Sequence, residues 1–390
     1  MSVCFKLKGR DLKVMKIPEV IVSGKSNGEG MVLHYRTIKE TDVFGLGVPN
    51  IYLNADWDLG PTWCYLIVGR EISLIDTGRF GNYAVLESML KSIGKVFSSI
   101  DRIILTHSHE DHDGNIAEIL PSVHGELWAH SIYRQMISYH PHIKDGARHP
   151  ELPGSCRQCS MPEKIYSTCM QYHQKRSLLD IDFAIDSDQR RVGESLSFVF
   201  TPGHSPDAIC ILLEDEVIFT GDTLLPDITP HPTLSSSFEA NHRILPDIYS
   251  GENTVYGLVN YIKSLHKLTN LTPQPMTVFP GHRLFYNGGF NLIHSLHGRA
   301  REIIQFHIDR CSDILRIIDT EPMELDGIAA QHFPASRLAG VGKLMARDEI
   351  MAHVELMEKC GDVCWLGENR DLVQCMRSNN FLNFIGAYLN

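Results

Sequence analysis

The sequence predicts an α/β fold with more than one domain, and three observations carry that expectation. The stretch TWCYLIVGREISLIDTG (62 to 78) holds two apolar runs separated by a Gly69-Arg70 turn signal, the pattern of a β-hairpin ending in a tight turn. The amphipathic stretch NYAVLESMLKSIG follows it with helical spacing. Apolar strands that end in polar loops carrying His or Asp then recur along the chain. A chain of 390 residues that is 43% hydrophobic and 21% charged is also long enough to bury a sizeable core.

In chain order, DRIIL (101 to 105) reads as a short buried strand. SLSFVFTPGHS (195 to 205), EVIFTGDTL (216 to 224) and MTVFPGHR (276 to 283) repeat the scheme of strand, then polar loop. Loops at strand ends let a rigid sheet aim residues from distant parts of the sequence at one point. The first twenty residues mix charges with isolated apolar residues, and no run approaches the roughly 18 apolar residues of a membrane span. The expectation is a soluble, cytoplasmic protein. Ten cysteines then read as reduced thiols or metal ligands rather than disulfides. The net charge of −11 argues against a nucleic-acid coat.

The densest chemistry lies in ILTHSHEDHDG (104 to 114), which places three histidines and three acids within seven residues at the end of a strand. Packing alone demands no such density. His107 and His109 are separated by one residue, and Asp111 and His112 follow directly, so one turn can send side chains to two neighbouring metal positions. Imidazole and carboxylate together suit Zn(II), Fe(II) or Mn(II). Paired metals about 3.5 to 4 Å apart can hold a hydroxide that is nucleophilic at neutral pH.

THSHEDHDG has the HxHxDH pattern of the metallo-β-lactamase-fold hydrolases, and the later motifs arrive in that family's order. The resemblance covers roughly residues 30 to 300. It implies that His107, His109 and His204 bind a first metal, that Asp111, His112 and His282 bind a second, and that Asp222 bridges them. It further implies an αββα sandwich with the metals at one edge of two sheets, and a bridging hydroxide that attacks a carbonyl or phosphoryl centre. Asp111 would bind metal and also orient the nucleophile or accept its proton, which makes it the candidate catalytic residue. Asp76 in IDTG reads either as a hydrogen-bonding support for a ligand histidine or as a turn-forming Asp.

Subgroups of the family divide on details. His109 stands where flavodiiron-type oxygen reductases usually carry Glu, and no flavodoxin-like pattern follows. The interval from Asp222 to His282 is too short for the large domain of β-CASP nucleases. Hydrolysis of a small organic thioester, ester or lactone is the leading reading, of the acyl-CoA or acyl-glutathione type. A metal phosphodiesterase or ribonuclease would use the same ligands, with His242, Arg243 and Arg283 as anion-binding candidates near the motif loops. A mononuclear iron dioxygenase acting on persulfides keeps most of the pattern as well.

Residues 301 to 390 read as helices followed by a short hairpin, suggesting a small winged-helix-like C-terminal domain after a hydrolase domain spanning 1 to 300. The appendage and GDTLLPDITP resemble the hydroxyacylglutathione hydrolase group. This tail carries 14 acidic against 9 basic residues, a net of −5, so it is expected to serve packing or homodimer formation rather than DNA binding. The partners expected are a small-molecule substrate and no membrane. Within an insert of about 136 to 190, Cys156 and Cys159 form a CxxC knuckle and Ser160 and Glu163 the spacing of a capping box. A helix started there sets Cys169 and His173 four apart on one face. The resulting C-x2-C-x9-C-x3-H set is a candidate for an additional, structural Zn(II). Cys360, Cys364 and Cys375 read as core residues of the hairpin region, and Cys4, Cys64, Cys210 and Cys311 as isolated packing residues.

Overall fold

A computed structural model describes residues 16–50, 58–138, 171–186, 188–192, 195–272 and 274–389. Two sheets carry the fold. The larger runs in sequence order through β1 (Glu19–Val22), β2 (Val32–Arg36), β3 (Asp42–Val48), β4 (Thr62–Val68), β5 (Ile72–Ile75), β6 (Arg102–Ile104), β7 (Glu126–His130) and β8 (Phe183–Ile185). Its first five strands pair antiparallel, and the pairing turns parallel from β5 to β8. The second sheet follows the spatial order β13 (Thr277–Pro280), β12 (Val217–Gly221), β11 (Ile209–Leu213), β10 (Leu196–Phe200), β9 (Gln189–Val192). Only its β12–β13 edge is parallel.

Strict alternation of side chains explains why these strands read as unbroken apolar runs. In β4, Trp63, Tyr65 and Ile67 face the core between the sheets, whereas Cys64 and Leu66 face the layer containing Leu86, Met89 and Leu90 of α1 (Tyr83–Ser92). In β11, Ile209, Ile211 and Leu213 point between the sheets. Cys210 and Leu212 point to the opposite face, toward the outer helices. The strands at 62 to 75, the helix after them and the strand at 102 to 104 thus lie where the sequence placed them.

The remaining helices are short connectors or outer cover. The connectors are α2 (Glu110–Asp113), α3 (Ile116–Ile119), α4 (Ser131–Ser138), α5 (Ser237–Asn241) and α6 (Asp247–Ser250). The cover over the second sheet consists of α7 (Leu258–Thr269), α8 (Leu296–Ile317), α9 (Leu325–His332), α10 (Val341–Lys359) and α11 (Asn380–Leu389), with the small hairpin β16–β17 (Val363–Leu366, Leu372–Cys375), while Phe285 and Phe290 of the hairpin β14–β15 (Phe285–Tyr286, Gly289–Phe290) pack against the core between the sheets.

The expected succession of helices and a short hairpin is present beyond residue 300. Helix α8 runs through that position without a break, however, and Ala300, Ile303, Cys311 and Ile314 share one buried core with Leu212, Ile218 and Val278 of the second sheet. The C-terminal helices therefore complete the outer layer. Among the described residues, no helix is long and apolar enough to cross a membrane.

The inter-sheet core makes a quantitative demand. Phe219 is buried, with its ring centroid 5.0 Å from that of Tyr65 and 5.7 Å from that of Phe279. Phe219→Ala should lower unfolding free energy by about 3–5 kcal/mol, measured as a shifted denaturant midpoint at unchanged slope. A loss below about 1 kcal/mol would contradict the packing described.

Candidate metal centre

The strands end at one place, and the site forms in the loops beyond them. After β6 the chain bends at Thr106 and reaches His109, whose φ of −72° and ψ of 145° precede the single turn of α2. That turn carries Asp111 and His112. His204 follows β10, Asp222 follows Gly221 at the end of β12, and His282 follows β13. Parallel pairing of β12 with β13, closed by the Gly281 amide donating to Gly221 O at 2.8 Å, sets Asp222 beside His282. From the other sheet, Trp63 N donates to Gly281 O at 2.8 Å.

All seven ligand residues expected from sequence meet here, in two groups. His107 Nε2 and His204 Nε2 each lie 3.1 Å from His109 Nδ1. On the other side, His282 Nε2 lies 3.1 Å from Asp111 Oδ2, and His112 Nε2 lies 3.9 Å from the same oxygen. Asp222 spans the two: Oδ2 is 3.6 Å from His204 Nε2 and 3.4 Å from His282 Nε2, and Oδ1 is 3.4 Å from His112 Nε2.

The outer nitrogens of four rings are anchored, which fixes their tautomers and turns the other nitrogen inward. His112 Nδ1 donates to Asp76 Oδ2 at 2.8 Å, His204 Nδ1 to His231 O at 2.8 Å, and His282 Nδ1 to Pro61 O at 3.0 Å. His107 Nδ1 donates to Thr106 Oγ1 at 3.0 Å, and that hydroxyl donates in turn to Asp76 Oδ2 at 2.8 Å. Asp76 also accepts from Thr106 N and is held at a φ of 57°, so it is at once the support and the turn residue that the sequence suggested.

The donor set fits divalent metal. His112 Nε2, His282 Nε2 and Asp222 Oδ1 are buried and have no hydrogen-bond partner, a costly arrangement unless a cation takes them up. Burial holds His107, His109 and His204 below the usual imidazole range, His109 at about 3, so all three are neutral imidazoles with a lone pair to offer. Burial alone would also lower His112 and His282, but Asp222 and Asp111 override it and raise both, His282 to about 9. Their imidazoles keep both carboxylates below the usual range despite burial. A cation at this second group therefore takes the place of protons.

Several residues that the sequence did not single out hold the loops. Asp113 accepts from Tyr133 Oη at 3.0 Å, from Tyr172 Oη and from Arg176 Nη1 at 2.8 Å, and Arg176 Nη1 also donates to Ser108 O at 2.9 Å. This ties the metal loop to the helical segment 171–176. On the far side, Thr233 N and Oγ1 each donate to Gly203 O at 2.7 Å, and Glu355 of α10 accepts from Ser235 N and Ser236 N. Arg299 of α8 donates to Leu225 O at 2.8 Å and Ile228 O at 2.9 Å. The loop that positions His204 thus hangs from the C-terminal helices.

Other expected residues are placed differently or not described. Arg283 is engaged by Asp58 O, by Asp227 at 3.4 Å and by the Tyr286 ring at 3.7 Å, so it is committed to the protein rather than offered to an anion. His242 bonds Glu239 O at 3.1 Å, and Arg243 shares its short 3-10 turn. Cys156, Cys159 and Cys169 lie outside the described residues, and His173 is buried with its ring 4.8 Å from that of Tyr172.

The family model described as the metallo-beta-lactamase superfamily matches residues 57–282. The chain is 26% identical over 330 residues to the probable metallo-hydrolase YqjP of Bacillus subtilis, covering 81% of this chain and 92% of that protein. It is 30% identical over 162 residues to an atrochrysone carboxyl ACP thioesterase of Aspergillus fumigatus, covering 40% of this chain and 38% of the relative. In fold it is similar to a metallo-beta-lactamase family protein of Thermus thermophilus (TM-score 0.62, 22% identity, 85% of this chain and 98% of that one). A beta-lactamase domain protein of Burkholderia ambifaria is also similar (TM-score 0.61, 17% identity, 89% and 94%).

Two substitutions probe the supports. A Cβ at residue 281 would lie 2.5 Å from Asp222 Oδ1 and 2.8 Å from His112 Cε1, so Gly281→Ala must displace ligands. Asp76→Asn leaves a single acceptor oxygen for the three donors Thr106 N, Thr106 Oγ1 and His112 Nδ1. Each should weaken metal binding by about 10–100-fold in chelator competition, with the far-UV spectrum unchanged. Affinity equal to that of the unsubstituted chain would show that these groups do not orient the ligands.

Proposed function

Because the chain belongs to the metallo-beta-lactamase superfamily, we propose that it is a dinuclear-metal hydrolase acting on a thioester, ester or lactone of a small organic substrate. His107, His109 and His204 would hold one ion and Asp111, His112 and His282 the other. One observation carries the reading: Asp222 Oδ2 lies 3.6 Å from a donor of the first group and 3.4 Å from a donor of the second. When bound, paired Zn(II), Fe(II) or Mn(II) ions supply Lewis acidity and a hydroxide that is nucleophilic near neutral pH. The protein supplies orientation and proton handling. Asp111, 18% exposed where Asp222 is 6%, is the carboxylate on the open side, placed to orient the nucleophile and accept its proton.

Acyl-CoA or acyl-glutathione type substrates suit this chemistry, and a relative named as an ACP thioesterase supports a thioester. The hydroxyacylglutathione-hydrolase-like grouping and a winged-helix-like tail serving packing belong to the same proposal. So does a structural Zn(II) at Cys156, Cys159, Cys169 and His173.

Anaerobically purified protein should contain two active-site metal equivalents and turn over at least one acyl-CoA, acyl-glutathione, acyl-carrier or lactone substrate. His109→Ala and Asp222→Ala should each lower kcat/KM by about 10²–10³-fold or more and lower metal content, with the fold intact. Turnover confined to phosphodiesters, or oxygen-dependent persulfide oxidation with a single iron, would replace this reading. Near-normal hydrolysis by either variant would defeat it.

A further inference from the structure

We infer that the helical layer behind the second sheet contains a separate metal-binding site, formed by His307, Glu349 and His353 and suited to one divalent transition-metal ion of the zinc class. His307 lies on α8, and Glu349 and His353 lie one turn apart on the facing side of α10. All three are buried, and a donor atom from each lies within 4.8 Å of the others.

The geometry is that of ligands. His307 Nδ1 and His353 Nε2 are 3.0 Å apart, against 3.1 Å for the imidazole pairs of the active-site group. Nitrogens about 2.0–2.1 Å from a shared ion fall at such separations when the angle at the ion closes to roughly 90–100°. His353 Nδ1 donates to Glu349 O at 2.6 Å, which leaves the Nε2 lone pair directed into the cluster, as the carbonyls of Pro61 and His231 do for His282 and His204.

Polar atoms without partners lie beside the cluster. His307 Nε2 and His231 Nε2 are buried and unsatisfied. His231 Nε2 lies 3.7 Å from Glu349 Oε2, beyond hydrogen-bonding distance. Arg310 engages Oε1 of Glu349 and so holds the carboxylate with Oε2 turned toward His231. The guanidinium sits 4.3 Å from the Phe306 ring and 5.1 Å from the Phe333 ring, surfaces that accommodate its charge. A plain imidazole pair joined by one N–H···N bond accounts for the 3.0 Å contact but supplies nothing for the buried His231 Nε2, 3.7 Å from Glu349 Oε2.

Crystals of the unsubstituted full chain, grown with Zn(II), test this directly through anomalous scattering at the zinc edge. A peak between His307, Glu349 and His353, separate from peaks among His107, His109 and His282, is expected. Peaks at the active site with only water or nothing in the helical layer would overturn the inference, while the converse would overturn the proposed function and leave this one standing. In solution, full-length His109→Ala/Asp222→Ala protein should lose one Co(II) equivalent when His353→Gln is added, with no change in sulfur charge-transfer bands. Equal cobalt content in two folded proteins would also overturn it.

Discussion

A buried carboxylate has to be satisfied from every side, and at Asp76 that demand organises the site. Its two oxygens accept from the Thr106 amide, the Thr106 hydroxyl and the His112 ring, all at 2.8 Å. One side chain thereby fixes the backbone leaving β6, the ring of His112 and, through the Thr106 hydroxyl, the ring of His107. The left-handed backbone at Asp76, with a φ of 57°, is retained because these bonds compensate it. In the neighbouring sheet, backbone pairing of β12 with β13 delivers Asp222 and His282 side by side.

The cluster was legible in the sequence because the spacing of its residues is local. HxHxDH occupies six consecutive residues beyond the end of one strand, and each later candidate follows an apolar strand by a few residues. Their supports left no such trace. Pro61 O and His231 O are backbone carbonyls that any residue could provide, and Asp113 meets Arg176 across 63 positions in sequence. Asp76 was visible as a turn residue but equivocal as a support, since one aspartate can be both. The C-terminal elements were legible as helices and a hairpin. Their attachment was not, because an amphipathic face records that something covers it and not what does.

Acidic residues in that C-terminal region also have a structural use that net charge conceals. Glu355 caps the backbone at Ser235 and Ser236, and Glu349 pairs with Arg310. The negative balance that argues against nucleic acid is thus partly used inside the fold.

The suspension of the His231–Ser236 loop from α10 bears on the order in which the protein can mature. His204 is translated before the loop whose carbonyl orients it, and that loop before the glutamate that bonds its backbone 119 and 120 positions later. During synthesis from the N-terminus, both sheets can form while one wall of the centre still lacks its support. The wall that carries His204 is therefore fixed only when α10 has docked, so an early-emerging chain presents the clustered side chains before it presents a shaped site.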